Sequence, residues 1–167
     1  MLQFSLRLLL VPALLLAALV GCATPGPALV GADGAMVQAK VGSPAETFPL
    51  PGGGVRWMYP LGGLQQFVWT VDFDAAGRVT EVRQVRTAAS FARVRVGVDT
   101  QADIRREFGT PRIVMPFSRV GLVGWMYPYL ENDFWRSEMV IYFDATGIVR
   151  RIENGPDPRF LGGDDRR

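Results

Sequence analysis

Trp57-Met58-Tyr59-Pro60 (WMYP) returns, letter for letter, at Trp125-Met126-Tyr127-Pro128. The chain of 167 residues holds only 4 Trp and 6 Met, so chance is a poor account of this recurrence. Other landmarks repeat in the same order. Val30-Gly31-Ala32-Asp33 matches Val96-Gly97-Val98-Asp99, Gly42-Ser43-Pro44 matches Gly109-Thr110-Pro111, and Pro49 matches Pro116. Past WMYP, VDFDAAGRV (Val71 to Val79) matches IYFDATGIV (Ile141 to Val149). The offset drifts from 66 to 67, 68 and 70 residues, so insertions fall between elements, where loops absorb them. The pattern is a tandem duplication, with one copy over residues 30–87 and the second over 88–155.

Each copy reads as a short helix followed by strands. In the second copy, Asp99 or Thr100 can cap a helix in which Asp103 completes a variant capping box and Ile104 and Phe108 share a face. Gly109-Thr110-Pro111 stops it. Val37, Val41 and Gly42-Ser43-Pro44 take the same places in the first copy. Helices this short do not persist alone and must pack on something. The partner is a sheet. VRWMYP and VGWMYP begin strands, and Phe67, Trp69, Val71 and Phe73 alternate with polar or smaller residues, as do Met139, Ile141 and Phe143. Asp-Ala-Ala-Gly and Asp-Ala-Thr-Gly are hairpin turns leading to returning strands. The sequence therefore predicts an α+β fold: two tandem repeats, each a short helix packed on a three-stranded antiparallel meander. A lone unit of this size buries little surface, so the repeats are expected to pack as one domain, by fusion of the sheets or docking of the helices.

The ends read differently. Residues 1–21 combine basic Arg7, an apolar run from Leu8 to Val20 and small residues, the layout of an export signal. The run is shorter than the roughly 20 residues a spanning helix needs. Leu19-Val20-Gly21-Cys22 resembles the bacterial lipobox, which implies cleavage before Cys22 and acylation of its sulfur and amino group. Cys22 is the one cysteine in the chain, so no disulfide is expected. With Ala23 and not Asp after it, the resemblance implies an outer-membrane, periplasm-facing location. Residues 22–29 read as a Pro/Gly tether, and 156–167 as a flexible tail.

Composition narrows the functional classes. There are 18 basic and 16 acidic residues, and Arg7 lies in the leader, so no excess of charge points to nucleic acid. Histidine is absent, removing the usual acid/base group near neutral pH. Asp74 and Asp144 open turns whose backbone they cap. No metal loop or phosphate-binding glycine loop is legible. The expectation is a non-enzyme without a metal or cofactor, apart from covalent lipid on Cys22.

The ordered series Gly-helix, Gly-x-Pro, Trp-x-Tyr and Phe-Asp-x-x-Gly-x-Val resembles the SmpA/OmlA family. This is the BamE-like domain of small lipoproteins in the outer-membrane barrel-assembly machine. The resemblance covers both copies, whereas the family's best-known member has one. The tandem layout is also similar to the β-lactamase inhibitor protein, whose repeats form one long sheet with a concave binding face. What the resemblance implies is an accessory or scaffold role in outer-membrane protein assembly or envelope integrity. Its partners would be assembly proteins, another envelope protein or lipid. The alternative is an inhibitor-like module clamping an enzyme on the concave face. Among the aromatics, Trp57 and Trp125 read as core, while Tyr59, Tyr127 and Tyr129 are candidate interface anchors. Arg83, Arg86, Arg93 and Arg95, in a stretch without an acid, are candidates for an acidic partner or anionic headgroups.

Overall fold

The computed structural model describes residues 24–161. The export signal, Cys22 and residues 162–167 lie outside the described residues. Two four-stranded antiparallel sheets make up the fold, each a simple meander in sequence order. The first holds β1 (Glu46–Pro49), β2 (Val55–Leu61), β3 (Phe67–Phe73) and β4 (Val79–Gln84); the second holds β5 (Ile113–Phe117), β6 (Leu122–Glu131), β7 (Trp135–Phe143) and β8 (Val149–Pro156). The helices are α1 (Gly34–Val41), α2 (Ala88–Phe91) and α3 (Gln101–Phe108).

This corrects the expected α+β class with three-stranded meanders. Among the described residues the protein is mostly β, with about 21% helix once the short 3-10 turns are included, and each repeat has a fourth strand. The added strands, β1 and β5, carry Pro49 and Pro116 and follow the Gly-x-Pro stop, so they read as loop. Both are edge strands, where a missing N–H leaves the ladder intact. The sheets also stay separate, in contrast to the single long sheet of the inhibitor layout.

Within each repeat the landmarks bond to one another. Asp33 caps α1 by accepting from the Met36 N–H at 2.9 Å. Thr100 caps α3 in a capping box with Asp103. Gly42 and Gly109 end these helices with φ of 94° and 75°, a backbone that favours glycine. The hydroxyl of Tyr59 donates to the Gly42 carbonyl at 3.2 Å, and that of Tyr127 to Gly109 at 3.2 Å. Trp57 packs on Phe73 with centroids 4.5 Å apart, and Trp125 on Phe143 at 4.8 Å. Thus the Tyr of WMYP holds the helix stop while its Trp holds the Phe before the hairpin. Asp74 Oδ1 accepts from Ala76 and Arg78 N–H, and Asp144 Oδ1 from Thr146 and Ile148.

The first core joins Leu29, Val37, Tyr59, Val71 and Phe73; the second joins Ile104, Phe108, Tyr127, Tyr129, Ile141 and Phe143. Phe91 of α2 completes the second, stacked on Phe108 at 4.5 Å. Burying such a ring contributes about 2–3 kcal/mol. Single residues of the outer segments are buried. Leu29, at the end of the expected tether, is in the first core. β8 runs to Pro156, and Asp157, in the expected tail, is buried.

Candidate functional site

The face of the first sheet that points away from α1 carries Arg56, Met58, Val68, Thr70 and Asp72, all buried. What covers them is the C-terminal end of α3 and the turn behind it, from the other repeat. A Cβ on Gly109 would meet Met58 Sδ at 3.2 Å, so this turn fits closely on the sheet. Glu46 accepts from the Thr110 N–H and hydroxyl at 3.0 and 2.9 Å and pairs with Arg105 at 3.1 Å.

Arginines close the joint. Arg56 makes a two-pronged bond to Asp72 at 2.7 and 2.6 Å, and a third to Glu107 of α3 at 2.7 Å. Arg83 reaches the same Glu107 at 2.6 and 3.0 Å. Burial alone would raise the Glu107 carboxyl, but hydrogen bonds and charge from Arg83 and Arg56 outweigh it and hold the carboxyl below its ordinary range. Arg86, 2% exposed, donates to three main-chain carbonyls: Phe108 at 3.2 and 3.3 Å, Thr110 at 2.8 Å and Gln65 at 2.6 Å. Burial pulls its pKa down to about 10. Its positive charge meets α3 where the helix presents unpaired carbonyls and the negative dipole end.

The seven expected contact residues therefore divide. Tyr59, Tyr127 and Tyr129 are 4%, 0% and 0% exposed, so they are core and not docking surface. Burial pushes the Tyr59 and Tyr129 phenols up to about 12. Arg83 and Arg86 are spent on the joint between repeats. Only Arg93 and Arg95 have open side chains, 60% and 68% exposed, on a groove of about 600 Å³ beside α3. There Arg93 faces Glu107 at 3.6 Å and Arg95 pairs with Asp99 at 2.6 Å. Arg83 and Arg106, paired with Glu107 and Asp103, complete the groove's cations, and with Glu81 as the fourth acid its formal charges cancel.

The open apolar surface lies elsewhere. Phe134 and Trp135, at the β6–β7 turn, are 73% and 64% exposed, and Leu161 is 65% exposed. The turn places Asn132 and Asp133 at φ of 51° and 59°, a region these two residue types tolerate. Phe134 and Trp135 meet edge-on at 5.1 Å. Phe160 lies on the guanidinium of Arg136 at 4.1 Å. Asp157 pins this segment by donating its N–H to the Arg136 carbonyl at 2.9 Å and accepting from Arg159. These residues frame a groove of about 420 Å³. Sequence reading passed over it; the available signal was two adjacent bulky aromatics directly after an Asn-Asp turn.

The patch has a fixed relation to the first described residues. Gly31 N–H donates to Val79 O at 2.8 Å, so the chain enters at the β3–β4 turn end of the first sheet. The patch sits at the other end, where Arg159 reaches the Leu64 carbonyl at 3.5 Å. The strands between span roughly 20 Å.

Among the described residues no cluster of three or more His, Cys, Asp or Glu is placed to hold a metal ion, and no helix is long and apolar enough to cross a membrane. No family model matches the chain, and no curated protein matches it. Two solved structures are similar. One is a DUF4309 family protein (YjgB) from Bacillus subtilis, at 15% identity and a TM-score of 0.32, covering 83% of this chain and 90% of that one. The second is an extracellular protein containing an SCP domain from Bacillus anthracis, at 13% identity and a TM-score of 0.30. That match covers 83% of this chain, which spans about half (49%) of the other protein. At these TM-scores neither likeness bears on fold or function.

Proposed function

We propose that this chain is a non-enzymatic lipoprotein of the outer membrane's periplasmic face, an accessory or scaffold that works by binding other envelope proteins. The reading joins the lipobox-like Leu19-Val20-Gly21-Cys22 and the SmpA/OmlA-like landmarks to one structural observation. The exposed cluster Phe134, Trp135, Phe160 and Leu161 stands at the end opposite to where the chain enters. With Cys22 in the membrane, that end is directed toward the periplasm. Trp, Phe and Arg are the residue types that anchor protein interfaces, and open apolar clusters of this kind mark contact surfaces.

Two measurements test it. Replacing Cys22 by Ser releases the chain from the membrane fraction; a variant that stays attached contradicts the anchor. Affinity purification from detergent-solubilised envelopes recovers outer-membrane assembly components with the native chain and loses them with Phe134→Ser/Trp135→Ser. Equal recovery with both chains, or a soluble enzyme as the main partner, contradicts the role.

A further inference from the structure

The joint between the repeats has two halves, and among the described residues a second set of both is unused. The plug is the end of α3 with Gly109-Thr110-Pro111; the socket is the outer face of the first sheet. The equivalent plug in the first repeat is the end of α1 with Gly42-Ser43-Pro44. It is open: a Cβ on Gly42 would meet nothing within 4 Å, whereas on Gly109 it would meet Met58 and Glu46.

The equivalent socket is the outer face of the second sheet. Residues paired across antiparallel strands share a face, so register identifies the positions. Glu46 pairs with Met58 and Ile113 with Met126; Thr70 pairs with Met58 and Val140 with Met126; Arg83 pairs with Thr70 and Glu153 with Val140. This face holds Ile113, Met126 and Val140, all half-buried, and Met115, 43% exposed. Glu46 and Thr70 in the occupied socket are thus replaced by Ile113 and Val140 in the open one. Arg56 and Asp72 become Gly124 and Tyr142, with Phe117 laid over them at 5.1 Å from Tyr142. Terminal units of stacked repeats ordinarily end in a polar face. Here the exposed face is the more apolar of the two.

The charges change in concert. Two residues before the helix-ending glycine, Glu107 of the used plug is matched by Lys40 of the free one, which is exposed. In the used joint Glu107 sits between Arg56 and Arg83. At the open socket their counterparts are Gly124 and Glu153, so neither cation that would repel Lys40 is present and one has become an acid. Other charged groups on this face are Arg151, which pairs with Glu153 at 3.2 Å, Glu138, which pairs with Arg112, and Arg136 at the far end against Phe160; the Tyr142 hydroxyl also donates to Glu153 at 2.7 Å. The carbonyl clamp of Arg86 is replaced by Pro156, so the second joint is the looser one.

We propose that the occupant of the open face is a second copy of this chain, its α1 end and Gly42-Ser43-Pro44 turn seated on Ile113, Met115, Met126 and Val140, with Lys40 beside Glu153. The contact is head-to-tail and repeats the joint already made within one chain. Such a contact builds a row or ring of copies instead of a closed pair. It stands independently of what Phe134 and Trp135 bind.

Sedimentation of the detergent-solubilised full chain over a range of concentrations tests this. Association is expected, weakened about tenfold by Lys40→Glu and restored when Glu153→Lys is added. Both positions are on the surface, and circular dichroism checks that the variants stay folded. In the used joint Thr110 N–H lies 3.0 Å from Glu46. Because that contact is made by the end of the Glu46 side chain, Ser43→Cys and Ile113→Cys chains, mixed and treated with a short bis-maleimide, are expected to give a crosslinked dimer that neither gives alone. A chain that stays monomeric with no such crosslink, or one whose association ignores Lys40→Glu, overturns the proposal.

Discussion

The Tyr127 hydroxyl donates to the Gly109 carbonyl at 3.2 Å, 18 residues away, from a ring with no exposed surface. It closes the end of α3 from the inner face of its own sheet, while Arg86 closes it from the other repeat. Tyr127→Phe leaves a buried carbonyl short of a partner and is expected to cost about 1–2 kcal/mol. Urea unfolding of the two proteins measures it. Partner binding should be unchanged, because no part of this ring reaches the surface.

Arg86 is the stronger test of the joint. Its planar fork serves three carbonyls from two repeats, which the single ammonium of lysine cannot do. Arg86→Lys should lose about 1–3 kcal/mol, and Arg86→Ala about 3–5 kcal/mol, because buried carbonyls are then left without donors. If Arg86→Ala unfolds at the same urea concentration as the native chain, the joint does not hold the repeats.

Glu107 makes the joint sensitive to acid. Its folded carboxyl titrates below the ordinary value of 4.5 because Arg83 and Arg56 outweigh its burial. The unfolded chain therefore binds the proton first as pH falls. The contribution is complete above 4.5 and disappears as pH drops through the lower folded value. The stability gap between the native chain and Glu107→Gln should be constant near neutral pH and narrow below about 4.5. A gap that widens on acidification contradicts this pairing.

Trp135 is the open tryptophan; Trp57, Trp69 and Trp125 are partly buried against the two cores. Trp135→Ser should remove most of the acrylamide-accessible fluorescence and change stability by less than about 0.5 kcal/mol. A large loss of stability would mean that this side chain is covered in the folded protein.

The duplication was legible because its landmarks are residues that bond to each other: Tyr59 with Gly42, Trp57 with Phe73, and their counterparts. Helix caps and turns were legible for the same local reason. What misled was anything supplied from a distance. β3 alternates Phe67, Trp69, Val71 and Phe73 with Val68, Thr70 and Asp72, which reads as a strand with one solvated face. Yet Thr70 and Asp72 are buried, because α3 of the other repeat covers them. Arg83 and Arg86 looked like an open basic stretch since their partners, Glu107 and the Phe108 carbonyl, lie more than twenty residues away. The short α2 was missed as well. It begins where Thr87 accepts from the Ser90 N–H at 3.1 Å, and it carries Phe91 into the second core.

The proposal that the aromatic end meets a partner is tested most directly by crosslinking in intact cells, with a photoreactive residue placed at Phe134 or at Val120. Val120 is 61% exposed but lies in the β5–β6 turn, at the opposite end of β6. A discrete envelope-protein adduct is expected from position 134 and none from position 120. No adduct from 134, or equal adducts from both, would contradict it.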